Sequence, residues 1–132
     1  MRALVTGANR GLGEGVARRL VIDGHDVVLM DLDDTVRQKA TELVKPYPGT
    51  VVEGFAGDVA DEATCERLFA RVAELLGGLD VLVNIAGIGG PSTTVAETTV
   101  AEFRRTLEVN LVGTFLTSRA AANLMIAQGT GG

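Results

Sequence analysis

Four short apolar segments alternate along the chain with longer segments in which apolar and polar positions repeat at helical spacing. Three of the four carry Val, Leu or Ile at consecutive positions rather than at every second position. That continuous pattern is typical of strands that are buried on both faces, as in parallel sheets. The predicted strands are residues 2–7, 26–31, 51–58 and 79–87.

The segments that follow the strands have the spacing of helices. The first three predicted helices cover roughly residues 12–23, 34–45 and 61–76. A fourth begins near Thr99, where Glu102 completes a capping box, and runs to about Gln128. Such alternation predicts the α/β class, with a Rossmann-type doubly wound parallel sheet and right-handed crossovers.

The pattern ends after the fourth strand and the fourth helix, which predicts a truncated sheet. A Rossmann sheet usually has about six strands, arranged in two halves. The fourth strand has the composition of a fully buried strand, yet no further strand is present to cover its outer edge. We therefore expect residues 1–132 to form a single domain that corresponds to the N-terminal part of a larger fold.

Composition restricts the possible partners and compartment. A net charge of −5 and the lack of a Lys/Arg cluster argue against nucleic acid as a partner. No apolar run is long enough to span a bilayer, and Met1 leads directly into a strand instead of a signal peptide. The single cysteine, Cys65, agrees with a reducing compartment. These features predict a cytoplasmic protein without a membrane partner.

The stretch TGANRGLG, residues 6–13, joins the first strand to the first helix. Gly7 permits a sharp turn out of the strand, whereas Gly11 and Gly13 leave room for phosphates and for close strand–helix packing. The helix then directs its positive N-terminus towards a pyrophosphate. A tight glycine turn that binds no ligand is the alternative interpretation of this stretch alone.

The second strand ends at Asp31, 18 residues after Gly13. This is close to the spacing of about 20 residues expected for an acidic residue that binds an adenosine ribose. A carboxylate there accepts hydrogen bonds from the ribose hydroxyls and repels a 2′-phosphate, which favours NAD over NADP. Arg10 favours NADP, because it would pair with that phosphate. This preference is weaker than that of Asp31, because Asp31 would lie against the 2′ position itself. A solvated carboxylate at a strand end is the alternative interpretation of Asp31.

These features and three shorter motifs resemble the short-chain dehydrogenase/reductase family, in the branch with the glycine pattern TGxxxGxG. The shorter motifs are DV at 58–59, NIAG at 84–87 and VNL at 109–111. Ile85 departs from the NNAG that is frequent in the family. The resemblance implies that a nicotinamide cofactor contacts Gly7, Asn9, Arg10, Gly11, Leu12, Gly13, Asp31, Leu32, Asp58, Val59, Asn84, Ala86, Gly87 and Val109.

Asn110 lies in the apolar middle of the fourth predicted helix. This is an unfavourable place for a side chain that competes for backbone hydrogen bonds, so we expect it to be buried and fully partnered. The resemblance implies that Asn110 distorts the helix and helps to hold a water in the proton relay to a catalytic Lys. A purely structural Asn is the alternative interpretation.

The resemblance implies an NAD-dependent oxidoreductase that transfers hydride between the nicotinamide and an alcohol or ketone. It also implies a Ser after a fifth strand and then Tyr-x-x-x-Lys, and residues 1–132 contain neither feature. The only tyrosine, Tyr47, lies in a Pro-flanked loop in the wrong part of the chain. We therefore expect Asn110 to be the one catalytic position present and these residues to show no turnover alone. The alternative is a non-catalytic NAD-binding or interaction module that another chain completes.

Other partners follow from the resemblance and from the remaining residues. The resemblance implies a small-molecule alcohol or ketone substrate and a homo-oligomer, dimer or tetramer, that pairs through the fourth helix. His25 lies in a turn with no other ligand nearby, and the sequence predicts no metal site. A P-loop NTPase is disfavoured because no Gly-Lys-Ser/Thr follows the glycines, and a methyltransferase because Thr6 replaces the usual acidic residue.

Overall fold

The computed structural model describes the whole chain, residues 1–132. The strands are β1 (Arg2–Thr6), β2 (Asp26–Asp31), β3 (Val52–Ala56) and β4 (Val81–Asn84). The helices are α1 (Gly11–Ile22), α2 (Val36–Val44), α3 (Glu62–Leu76), α4 (Val100–Leu107) and α5 (Thr114–Gln128), with a π-helical segment, Glu108–Gly113, between the last two.

The four strands form one parallel sheet in the order β3-β2-β1-β4. Leu4 in β1 lies beside Val28 in β2 on one side and beside Leu82 in β4 on the other. Because all strands run in the same direction, their carboxyl ends meet at one edge of the sheet, where Thr6 pairs with Asn84. The predicted α/β class and Rossmann-type parallel sheet are confirmed.

Alternate residues of β1 face opposite sides of the sheet, and helices cover both sides. Leu4 packs in a buried cluster with Leu68 of α3 and with α5. Val5 packs in a second cluster with Val21 of α1 and with α2. This two-sided burial explains why apolar residues stand at consecutive positions in the strands instead of alternating with polar ones.

The long helical segment after β4 differs from the prediction. One helix from Thr99 to Gln128 was expected, and the capping box between Thr99 and Glu102 is present. The segment is nevertheless interrupted by six π-helical residues, Glu108–Gly113, which include Asn110. The predicted helix is therefore two helices joined by a π-helical segment, and the interruption includes Asn110, where the resemblance implies a distortion of the helix.

The outer side of this segment carries an apolar face, formed by Phe103, Leu107, Leu111 and Phe115. These four residues are spaced four apart and each is exposed, Leu111 to 63%. No residue of α4 is buried. A row of large apolar side chains in water is characteristic of a surface that another protein element covers.

Cys65 lies on the buried face of α3, where its Sγ donates a hydrogen bond to the carbonyl of Val59 at 3.3 Å. Burial, together with the charges of Asp61 and Asp58, raises the pKa of the thiol to about 11. The thiolate is the reactive form, so we expect iodoacetamide at mildly alkaline pH to modify the folded protein about a hundredfold more slowly than the unfolded chain. Mass spectrometry of samples quenched with and without urea measures both rates, and equal rates would contradict this packing.

Candidate functional site

A cleft of about 460 Å³ opens at the carboxyl edge of the sheet, above β1, β2 and β4. All of the predicted cofactor contacts line it except Asn9, Gly13 and Asn84. Four further lining residues are not among the predicted contacts: Gly57, Ile85, Ile88 and Arg105. Open-ended parallel sheets bind ligands at this edge, so the cleft lies where the fold predicts a nucleotide site.

The glycine turn forms one end of the cleft. Gly7 and Gly11 adopt positive φ angles of 65° and 58°, which favour glycine. A Cβ on Gly7 would lie 2.7 Å from the amide nitrogen of Ala86, whereas a Cβ on Gly11 would meet no atom within 4 Å. Gly7 is therefore required by packing, and Gly11 leaves open space in front of the helix.

The N-terminus of α1 points into that open space. The residue before the helix, Arg10, is extended and no side chain caps the first turn. Amide N–H groups at an uncapped helix start remain available to a phosphate, and the helix dipole adds to the attraction. Gly13 lies behind this turn, where a Cβ would approach the carbonyl oxygen of Gly7 to 1.9 Å. Its role is strand–helix packing, and no part of it lines the cleft.

Thr6 joins the glycine turn to the segment after β4. Its buried hydroxyl accepts hydrogen bonds from the amides of Ile85 and Ala86 at 3.1 and 3.2 Å. Because β1 and β4 are neighbours, one side chain at the end of β1 reaches both amides. This fixes the NIAG segment against the glycine turn, and the two together form one wall of the cleft.

Asp31 ends β2 with its carboxylate held by main-chain amides. One oxygen accepts from the amide of Asn9 at 3.0 Å and the other from that of Asp33 at 3.1 Å. The side chain of Asn9 turns away from the cleft, because its Nδ2 donates to Thr35 at 2.8 Å and its Oδ1 is buried without a partner. The main chain of Asn9 thus orients Asp31, while its side chain contacts the start of α2.

Asp58 follows β3 and forms an ion pair across the cleft wall. Its Oδ2 accepts from Nη2 of Arg105 at 2.8 Å, and its Oδ1 accepts from the amide of Ala60 at 2.9 Å. Burial opposes ionisation, but the Ala60 amide and the Arg105 guanidinium outweigh it, so the pKa of Asp58 lies below its ordinary value. Beside the pair, Val59 and Val109 are nearly completely buried and give the cleft an apolar floor.

Asn84 faces away from the cleft. Its Oδ1 accepts from Thr117 at 2.8 Å and its Nδ2 donates to Ser118 at 3.1 Å, both on α5. Strand alternation puts residue 84 on the same face as Leu82, which packs against the cluster of α3 and α5. The alternation could have identified this orientation from the sequence.

Asn110 is exposed, so the expectation that it is buried is wrong. Both polar atoms of its side chain are nevertheless hydrogen-bonded: Oδ1 accepts from the amide of Ile88 at 2.8 Å, and Nδ2 donates to the carbonyl of the same residue at 2.9 Å. The main-chain carbonyl of Asn110 accepts from the Thr114 hydroxyl at 3.0 Å. Asn110 therefore ties the π-helical segment to the loop after β4.

Other chemical groups lie outside the cleft. Tyr47 packs partly buried against the cluster formed with α1 and α2. No three His, Cys, Asp or Glu side chains come together in an arrangement that would hold a metal ion. None of the helices combines the length and the apolar character needed to cross a membrane. The cleft is lined by residues of all the sequence motifs that carry the resemblance.

Comparison with known proteins finds one protein family that matches the whole chain. A family model described as short chain dehydrogenase matches residues 1–132. The chain is 41% identical to a short-chain dehydrogenase/reductase of Armillaria gallica and 36% identical to a mitochondrial borneol dehydrogenase of Lavandula x intermedia. These alignments cover 98% of this chain but 50% and 48% of the relatives, so the chain spans about half the length of the curated relatives it matches.

A solved structure also matches nearly the whole of this chain and half of its own length. The crystal structure of sorbitol-6-phosphate 2-dehydrogenase from Erwinia amylovora superposes with a TM-score of 0.90 at 34% sequence identity. The match covers 96% of this chain and 50% of that one. The fold of this chain is therefore that of one half of the solved dehydrogenase.

Proposed function

Because the chain belongs to the short-chain dehydrogenase family, we propose that its cleft binds NAD for hydride transfer between the nicotinamide and a small-molecule alcohol or ketone. Family members are oxidoreductases that act on alcohols. In this proposal residues 1–132 form the dinucleotide-binding part of the enzyme. We also propose a reducing, cytoplasmic compartment, because the chain has a single cysteine.

The clamped carboxylate of Asp31 is the observation that supports NAD most strongly. Two main-chain amides fix both of its oxygens at the end of β2, where the adenosine ribose lies in the proposed complex. A fixed carboxylate accepts hydrogen bonds from ribose hydroxyls and repels a 2′-phosphate. Arg10 is the only cation of the glycine turn, and it favours NADP less strongly than Asp31 favours NAD.

The cleft residues fit a dinucleotide in three ways. The open space in front of Gly11 and the uncapped start of α1 suit the pyrophosphate. Asp58, with the apolar floor of Val59 and Val109, suits the adenine. Ala86 and Gly87 would contact the nicotinamide half. When bound, the cofactor supplies the hydride acceptor and donor, while the chain's own residues bind and orient it.

Asn110 is the one residue of the proposed proton relay within residues 1–132. Since Ile88 occupies its side-chain amide, we infer that Asn110 acts by fixing the loop after β4 and by shaping the π-helical segment. Neither the Ser nor the Tyr-x-x-x-Lys of the family occurs in these residues. We therefore propose that residues 1–132 bind the cofactor without turnover.

A paired assay tests this proposal. NADH fluorescence measures binding, and absorbance at the NADH band with NAD and a panel of secondary alcohols measures turnover. Binding without turnover is the expected result. Turnover by these residues alone would contradict the assignment of the acid–base group to the Tyr-x-x-x-Lys motif.

A second candidate is a non-catalytic NAD-binding or interaction module that another chain completes. A chain that supplied the Ser and Tyr-x-x-x-Lys would restore turnover when mixed with this one. Binding of NADH and restored turnover are common to both candidates, so the separating observation is whether a Ser and Tyr-x-x-x-Lys follow residue 132 in the same polypeptide.

We further propose that the apolar face of Phe103, Leu107, Leu111 and Phe115 pairs with a second copy in a homo-oligomer. Replacing Leu111 by Glu puts a charge in the centre of this face and should weaken self-association by about tenfold or more. Sedimentation velocity over a range of concentrations measures this. Ile22→Glu on α1 is the control, because Ile22 is also exposed, to 49%, but lies outside the face. Equal weakening by both substitutions would contradict the proposed interface.

A further inference from the structure

Arg105 is the one charged cleft residue that no sequence motif identified. It lies on α4 and donates from Nη2 to Oδ2 of Asp58 at 2.8 Å, across a separation of 47 residues in the chain. The amide of Ala60 holds the other oxygen at 2.9 Å. Each carboxylate oxygen can accept more than one hydrogen bond, so Asp58 is oriented on both sides and still has acceptor capacity for a ligand.

The Arg105–Asp58 pair has little to contribute to folding. The side chains are 49% and 29% exposed, and half-exposed ion pairs add little to stability because water screens them. The remaining side-chain hydrogen bonds of α4, those of Thr99, Glu102 and Thr106, are local to the helix and its cap. Arg105 therefore provides the polar contact between α4 and the end of β3.

The position of the pair suggests a role in cofactor binding, and this role rests on the proposed function. We propose that Arg105 is a positioning residue for the adenine end of NAD, holding the Asp58 carboxylate so that it accepts a hydrogen bond from the exocyclic amino group. A carboxylate accepts that bond best when it is ionised and fixed. A bound adenine also excludes water from the pair, which strengthens both interactions in the covered site.

The charge of Arg105 has a second consequence for Asp58. Burial favours the neutral acid, and the Ala60 amide and Arg105 lower the pKa against that effect. Removing the guanidinium therefore raises the pKa of Asp58. The ionised carboxylate is the form that accepts the hydrogen bond. As the pH is lowered, the NADH affinity of an Arg105 variant should therefore begin to fall at a higher pH than that of the wild type.

Two nucleotides and matched variants test this role. The probes are NADH and its hypoxanthine analogue, in which a carbonyl oxygen replaces the exocyclic amino group of adenine. We expect Arg105→Gln to weaken NADH about tenfold and to leave the analogue nearly unchanged, because only NADH donates to Asp58. Arg104→Gln is the control, since the neighbouring Arg104 is exposed and does not line the cleft, and it should bind both nucleotides as the wild type does. Arg105→Lys should restore most of the NADH affinity.

A measurement on the free protein separates positioning from a merely structural role. The pKa of Asp58, followed by carbon-detected NMR, should be higher in Arg105→Gln than in the wild type and unchanged in Arg104→Gln. If the wild type binds NADH but Arg105→Gln matches Arg104→Gln, this inference is overturned and the proposed function stands. Equal weakening of both nucleotides with an unchanged Asp58 pKa also overturns it. If the wild type binds no NADH, the proposed function fails, and this inference fails with it.

Discussion

Replacing Gly13 by Ala should destabilise the protein by about 3 kcal/mol or more and abolish cofactor binding. The added Cβ would lie 1.9 Å from the carbonyl oxygen of Gly7 and 2.7 Å from its carbonyl carbon. Both atoms belong to the main chain of the glycine turn, so no side chain can move aside to relieve the clash. The start of α1 would have to move away from β1, and the phosphate-binding turn would be lost.

Gly15→Ala is the matched control for this substitution. Gly15 lies in the same helix, and a Cβ there meets nothing within 4 Å. Alanine in a helix interior is more favourable than glycine, so this variant should gain about 0.5–1 kcal/mol. Urea unfolding followed by circular dichroism measures both changes. Equal stability of the two variants would show that α1 does not begin against the glycine turn.

Replacing Asp31 by Asn should reverse the cofactor preference. The amide is a weaker acceptor for the ribose hydroxyls, so NADH should bind about tenfold less tightly. It also removes the negative charge that repels a 2′-phosphate, so NADPH should bind about tenfold more tightly. The ratio of the two dissociation constants should therefore change by about a hundredfold, as measured by parallel fluorescence titrations.

Asp34→Asn serves as the control for the Asp31 variant. Asp34 lies three residues further along, pairs with Arg37 on the surface at 2.7 Å and does not line the cleft. Its substitution should leave both dissociation constants unchanged. A similar change of preference in the two variants would attribute the effect to the net charge of the region instead of to a contact with the ribose.

The parts of the fold that were predicted correctly depend on local patterns. Consecutive apolar residues identified the parallel strands, of which β1 and β2 are buried and β4 is half-buried throughout. The Thr99–Glu102 capping box marked the start of α4. The glycine turn and Asp31 follow from spacing along the chain, and both line the cleft. The apolar pattern predicts that β4 ends at residue 87, whereas the strand ends at Asn84, because the apolar residues continue after the strand hydrogen bonds stop.

The features that could not be predicted from the sequence depend on contacts between distant segments. The pair of Arg105 and Asp58 joins residues 47 positions apart, and no local pattern distinguishes Arg105 from Arg104. Asn110 was expected to be buried because apolar residues surround it in sequence. In the folded chain Leu111 beside it is exposed, and its own amide reaches outwards to the main chain of Ile88. Burial of such a helix depends on what covers it, and the helix sequence alone does not contain that information.

The most direct test of the central claim is a side-by-side titration of the unmodified chain with NADH and NADPH, followed by cofactor fluorescence. We expect saturable binding of NADH, with a dissociation constant at least about tenfold lower than that of NADPH, because the fixed Asp31 carboxylate repels the 2′-phosphate. Tighter binding of NADPH would contradict the role assigned to Asp31. Failure to bind either nucleotide would contradict the assignment of the cleft as a dinucleotide site.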